Sequence, residues 1–178
     1  IKNSENRRIY ALSWYLDSLT NKKWDAMVMD DYKAVMPLPY EKKAGFRFFL
    51  QPWFCQQLGP FWIKTYPPDL LKIMTDKIPS PLYSINLNSK TRFFPENASL
   101  PLKPNKVLHL NQDYENIYYG IKTNHRRNLK KALKSDLQTS NISIEDYLKL
   151  KKESGAKLPP KKWKQLEKIL IILNQKGA

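Results

Sequence analysis

One cysteine, five glycines and no long apolar run stand against 31 lysines and arginines in this 178-residue chain. Each scarcity closes off a class of protein. A lone Cys55 leaves no partner for an internal disulfide and no cysteine-rich metal site, which fits a reducing compartment. The two histidines, His109 and His125, stand far apart in sequence without a second ligand motif, so no metal centre is expected. The longest aliphatic run, residues 169–173, is too short for a spanning helix. No charged stretch leading into an apolar segment opens the chain, so no signal peptide is read and a cytoplasmic protein is expected.

What is present is enough apolar material for a core and a strong positive charge. The formal charge is +15, and residues 121–178 hold 15 Lys and Arg against 5 Asp and Glu, a net of +10, where residues 1–120 hold 16 against 11, a net of +5. Clustered cations draw polyanions by long-range field and counterion release. A lysine-rich bias coating a solvated surface produces the same count.

Periodicity sorts the first 111 residues into helices and strands. Ile9, Leu12, Leu16 and Leu19 recur at helical steps behind Ser4, predicting a Ser4-capped helix over residues 5–19. Residues 24–29 and 33–39 predict a hairpin turned at Asp30 and Asp31, with Pro37 and Pro39 demoting the end of the second strand to an edge or bulge. A third strand is predicted over residues 46–50, with Phe46, Phe48 and Leu50 on one face. Residues 51–62 are apolar and broken by Pro and Gly, so they read as a buried loop. A short helix over 69–78 and an alternating strand over 82–88 follow. Residues 89–105 read as a loop, and a last strand is predicted over 106–110.

From residue 111 the pattern is helical. Helices are predicted over 112–121, from a Thr123 or Asn124 cap to about 133, over 145–153, and over 161–175. On the second of these, Arg126, Arg127, Lys130, Lys131 and Lys134 share one arc, with Leu129, Ala132 and Leu133 opposite as a packed face. The last helix carries Trp163, Leu166, Ile169, Leu170 and Leu173 on a broad apolar side. That side needs a partner, either the first domain or another copy in a homodimer.

Helix, antiparallel meander, helix and strand in this order resemble the GNAT acyltransferase fold without its first strand, which is expected before Ile1. Local phrases sharpen the resemblance: Tyr10-Ala-Leu-Ser-Trp-Tyr-Leu16, Trp24-Asp-Ala26, Tyr32-Lys-Ala-Val-Met-Pro-Leu-Pro39, Gln51-Pro52, Gln56-Gln-Leu-Gly59 and Asn124-His-Arg-Arg-Asn-Leu-Lys-Lys-Ala132. Together they resemble bacterial GNAT-like proteins related to the Fem-type peptidyltransferases that build peptidoglycan cross-bridges. The resemblance implies two such domains. Residues 1–111 would then be a GNAT-like N-terminal domain, a mixed and largely antiparallel sheet flanked by helices. Residues 112–178 would open a truncated second one. It implies a fragment of an acyl- or aminoacyl-transferase that supplies the acceptor-binding half and is inactive alone. Acyl-CoA or aminoacyl-tRNA would be the donor of the whole protein, and a small molecule or peptidoglycan precursor the acceptor.

Candidate residues follow from chemistry set beside that expectation. A GNAT enzyme holds the acyl-CoA pyrophosphate on consecutive backbone N–H groups of a glycine-bearing loop at a helix start. The nearest stretch, Gln56-Gln-Leu-Gly-Pro60, places a proline where a donor is needed. Gln56, Gln57 and Gly59 therefore read as a buried turn or as a pocket for an acyl or peptide group, with Gln51 at its start. Buried carboxamides need several hydrogen-bond partners, which makes Gln56 and Gln57 the leading pocket residues. Tyr40, Lys42 and Lys43 form a solvated turn or meet a phosphate or carboxylate. The arc from Arg126 to Lys134 is the wet side of a helix, or it clamps a sugar-nucleotide diphosphate or a tRNA backbone. Cys55 reads as a small buried hydrophobe. No catalytic residue is assigned. The alternative reading is a non-catalytic module that binds an acidic protein or nucleic acid through its basic helix.

Overall fold

The structure, a computed structural model, describes residues 1–65, 68–79, 83–84, 86–87, 104–105, 107–136, 138 and 140–177. It is a mixed α/β fold whose mostly antiparallel five-stranded sheet is flanked by helices and followed by a helical C-terminal part.

Two hairpins build the sheet. β1 (Trp24–Met29) pairs with β2 (Ala34–Lys43) from Trp24 opposite Pro39 to Met29 opposite Ala34. Asp30, Asp31 and Tyr32 close it with φ of 48°, 50° and 65°. Aspartate tolerates this left-handed region because its short polar side chain bonds locally. β2 then pairs with β3 (Phe46–Leu50), Tyr40 lying opposite Phe49. Ala44 and Gly45 turn that hairpin with φ of 50° and 82°, the two positive values a type I′ turn requires. β4 (Phe61–Trp62) pairs with residues 34–35 of β2, and β5 (Tyr83–Ser84) runs parallel to β3.

β2 is therefore central rather than an edge, and its prolines are accommodated by register. The Tyr40 N–H donates to the Lys23 carbonyl at 3.0 Å. Alternation then turns positions 37 and 39 away from β1, into the gap between β4, which stops at Val35, and β3, which begins opposite Tyr40. A missing donor interrupts no ladder there.

Each sheet face has its own core. Ala34, Met36, Leu38, Phe49 and Trp62 meet Leu70 and Met74 of α2 (Leu70–Asp76), with Ile78 just beyond it. On the other face Phe61 packs with Ala11 of a 3-10 turn (Ile9–Ala11), with Tyr15, Leu16 and Leu19 of α1 (Ser13–Thr20), and with Cys55 and Leu58. β3 buries the opposite side from the one its sequence pattern grouped. Phe49 is fully buried while Phe46 is 72% exposed. Cross-strand partners share a face, and Phe49 pairs with Tyr40, which packs against the α2 core; their rings meet edge-on at 6.1 Å.

The opening of the chain also departs from expectation. Ser4 caps no helix; it is buried in a turn, and the polar stretch after it bonds outward to the strand region. Glu5 N–H donates to the Trp62 carbonyl, Asn6 Nδ2 donates to the Pro60 carbonyl at 2.9 Å, and Trp62 N–H donates to Asn6 Oδ1. These long-range bonds outweigh the local helical option for residues 4–8.

Four helices follow: α3 (Tyr114–Gly120), α4 (Thr123–Leu133), α5 (Ile144–Glu153) and α6 (Pro160–Gln175). Ser143 caps α5, its Oγ accepting from the Asp146 N–H at 3.0 Å, and Pro160 opens α6 at a position where no N–H is needed. The apolar side of α6 lies on the first part of the chain. Ile169 is buried against α1, flanked by Leu166 and Leu173, and Gln165 Nε2 donates to the Leu19 carbonyl. α5 packs on α6, burying Leu148. α3 and α4 bury no residue, so the packed face expected for Leu129, Ala132 and Leu133 is absent. Thr123 is the first residue of α4 rather than its cap, which is Lys122. Residues 107–110 form no strand and expose Val107, Leu108 and Leu110, because no described strand lies beside them to pair. Most of the expected loop at 89–105, and much of the strand at 82–88, lie outside the described residues. No described helix is long and apolar enough to cross a membrane.

Candidate functional site

Three segments converge on one cleft of about 700 Å³: the end of α1, the mouth of the β2–β3 hairpin with the loop after β3, and the first half of α6. Its cationic lining is Lys23, Lys42, Lys161, Lys162, Lys164 and Lys168, against the single carboxylate of Glu41. Six positive and one negative leave a local charge of +5. The helical repeat explains the alignment. Lys161, Lys164, Gln165 and Lys168 fall at steps of three and four along α6, beside the apolar stripe that docks on α1. Burying Ile169 therefore brings the lysine row against the hairpin.

Electrostatics in the cleft favour an incoming anion. Partial burial lowers the Lys162 ammonium from its ordinary value, the Glu41 carboxylate opposes that shift, and Lys161 adds to it by repulsion. Lys162 Nζ donates to Gln165 Oε1 at 3.0 Å and sits 5.3 Å from the Trp53 ring centroid. Trp53 is half exposed at the rim, an open π-face beside the charges. Lys168 Nζ donates to Asn21 Oδ1 at 3.2 Å. On the hairpin, Arg47 lies 4.7 Å from the Tyr40 ring centroid and pairs with Asp25, which fixes the Tyr40 wall. Like charges crowded in a concave, partly dry site raise the local potential, and an anion relieves it.

Among the expected site residues, the cleft gathers Tyr40, Lys42 and Gln51. The Gln51 carboxamide is engaged within the fold: Nε2 donates to the Cys55 carbonyl at 2.7 Å and Oε1 accepts from the Asn86 N–H at 3.3 Å. It shapes the wall by tying the loop to the segment after β5. Lys43, Gln56, Gln57 and Gly59 line neither this cleft nor the second one. Gln57 is buried, and its Oε1 accepts from Arg8 Nε at 3.2 Å, while the exposed Gln56 accepts from the Tyr10 hydroxyl at 3.4 Å. Gly59, buried with φ of 98°, turns the chain into β4. Gln56 and Gln57 thus tie the loop before β4 to the N-terminal segment. Arg126, Arg127, Lys130, Lys131 and Lys134 do share α4. Arg126 donates to the Tyr119 carbonyl at 2.8 Å and joins α4 to α3, and the other four are exposed.

Sequence reasoning missed Glu41, Trp53, Lys23 and the four α6 lysines. The spacing of Lys161, Lys164 and Lys168 was visible, but only the docking of α6 on α1 turns a wet helix face into a cleft wall. A second cavity of about 380 Å³ beside the β1–β2 turn sets Asp30 and Asp31 against Lys33 and Lys64, with no charge excess.

Cys55 is inert core. Burial pushes its thiol up to about 12, and Tyr15 likewise rises to about 12 through burial first and then the neighbouring Cys55 and Tyr10. The Tyr15 hydroxyl donates to the Phe54 carbonyl at 2.6 Å. No family model, no curated protein and no solved structure matches the chain.

Proposed function

We propose that this chain supplies the acceptor-binding part of a GNAT- or Fem-like acyl- or aminoacyl-transferase, and that the α1–β2–α6 cleft receives the acceptor through an anionic group. The observation that carries the anionic part is the cleft lining, six lysines against Glu41. The transferase part rests on the motif resemblance and agrees with a mixed sheet that opens its cleft at a hairpin mouth beside Tyr40, Lys42 and Gln51. A diphosphate or a sugar nucleotide fits this lining, since multiple charges reach several ammonium groups at once and Trp53 offers a ring for stacking. The donor, acyl-CoA or aminoacyl-tRNA, belongs to the whole protein.

Thermal melting with added ligand tests the reading. A uridine diphosphate sugar at millimolar concentration is expected to raise the melting temperature, as any ligand preferring the native state does. Free uridine should leave it unchanged, and the double substitution Lys162→Gln with Lys168→Gln should abolish the rise. No shift with any anion would refute it.

A second reading has its own observation. The basic side chains of α4 lie on a helix that buries nothing, which suits a protein that binds a polyanion without catalysis. A melting shift with tRNA that survives the two α6 substitutions and vanishes on Arg127→Gln with Lys131→Gln would favour it.

A further inference from the structure

We infer that the free edge of β1 is a self-association surface, on which a second copy of this chain pairs antiparallel about Ala26. Among the described residues β1 bonds only to β2, so it is an edge of the described sheet. The bond from Tyr40 N–H to the Lys23 carbonyl fixes the phase of the ladder. Alternation then turns the N–H and C=O groups of residues 23, 25, 27 and 29 toward β2, and those of Trp24, Ala26 and Val28 outward. Among the described residues these outward groups bond to nothing, and Ala26 and Val28 are exposed.

Edge strands are commonly blunted by proline, by lysine, by a bulge or by brevity. Residues 24–29, Trp-Asp-Ala-Met-Val-Met, contain no proline, lysine or glycine, and their pairing with β2 is continuous. Within the strand the one charge, Asp25, is paired with Arg47; beyond it the two ends carry opposite charges, Lys22 and Lys23 before the strand and Asp30 and Asp31 after it. None of the four forms an ion pair within the described residues. A strand basic at one end and acidic at the other complements itself in the antiparallel direction only.

Register narrows the arrangement further. Centring the pair on Ala26 sets Trp24 opposite Val28 of the partner subunit and Ala26 opposite the partner's Ala26. Every outward-facing residue then meets another outward-facing residue, giving three hydrogen-bonded pairs and about six bonds. The same register brings Lys22 against Asp30 of the partner subunit at both ends. The Ala26-centred register satisfies both the backbone geometry, with the largest number of paired outward residues, and the charge pattern. The contact is small, so association is expected to be reversible and concentration-dependent, weaker at high salt as exposed ion pairs are.

Sedimentation velocity from about 10 to 300 μM at low salt tests this, that range bracketing the weak association a small contact gives. Mass should rise toward twice that of one chain across the series. Ala26→Pro, which removes an outward N–H that edge strands can spare, should leave the monomer folded by circular dichroism and hold it as a monomer. Lys22→Glu should weaken association at least tenfold, and adding Asp30→Lys to the same chain should restore most of it. A monomer at every concentration would overturn the inference. So would association that survives Ala26→Pro, which would place the contact elsewhere, such as the exposed Ile171 side of α6. Failure of the charge exchange to restore pairing would overturn the Ala26-centred register.

Discussion

Residues 1–79 and residues 107–134 both carry aliphatic side chains and put them in opposite surroundings. In the first region Leu16, Met36, Leu38, Phe49 and Leu70 are all within 2% of complete burial; in the second Val107, Leu108, Leu110 and Leu133 are between 61% and 75% exposed. Leucine occurs in both regions, buried in one and exposed in the other, so residue type alone does not decide the outcome. What differs is the presence of a complementary surface: a twisted sheet offers two faces and receives α1 and α2, whereas α3 and α4 bury no residue and are joined by the bond from Arg126 to the Tyr119 carbonyl. α6 marks the boundary, because its stripe found α1, and that single docking also creates the lysine cleft.

Stability measurements can break this comparison. Phe49→Ala is expected to cost about 3–5 kcal/mol by urea unfolding, since the site is fully enclosed. Leu133→Ala should stay within about 0.5 kcal/mol, as for other exposed positions. Comparable losses at both sites would erase the distinction.

Ile169→Ala should cost about 2–4 kcal/mol if α6 is held by α1, and it should also weaken anion binding by loosening the lysine row. Unchanged binding with lowered stability would separate the cleft from the docking. A smaller effect is expected from Asn6→Ala. It strands the Pro60 carbonyl and the Trp62 N–H in a buried site and should cost about 1–3 kcal/mol.

Alkaline titration gives the gentlest test. Cys55 and Tyr15 rise from ordinary values of 9.0 and 10.0 to about 12 in the fold, so the folded state holds their protons more tightly. Their contribution is whole below about pH 9, and it is lost as pH climbs from there toward 12. Melting temperature should fall between pH 8.5 and 11, and Cys55→Ala should flatten part of the fall. A thiol in α3 or α4 would show no such protection.

Much of the sheet was legible because period-two patterns and turn chemistry are local. Residues 24–29, the Asp30-Asp31 turn and residues 46–50 fell where expected. The inverted face of β3 was not legible, because Phe46, Phe48, Phe49 and Leu50 are all apolar and only pairing with Tyr40 chooses among them. Ser4 looked like a cap because its neighbours permit a helix; Asn6, bonded across more than fifty residues of chain, decided otherwise. The candidate site was legible in fragments, Tyr40, Lys42 and Gln51. Its main wall comes from α6, more than a hundred residues later, and nothing local in Lys161 or Lys168 reports that approach. The sequence signal at Gln56 and Gln57 was only that a buried amide needs partners; Gln57 is the buried one and Arg8 bonds to it, while Gln56 is exposed and accepts from Tyr10.

On the proposed reading anions bind in the α1–β2–α6 cleft and not on the exposed basic face of α4. Isothermal titration with inorganic pyrophosphate at about 150 mM salt, where long-range surface charge is largely screened, puts the two in direct competition. Saturable binding at one site per chain is expected, lost in Lys161→Gln, Lys162→Gln, Lys168→Gln combined and kept in Arg126→Gln, Arg127→Gln, Lys130→Gln combined. Binding that persists in the first variant and disappears in the second would contradict that reading.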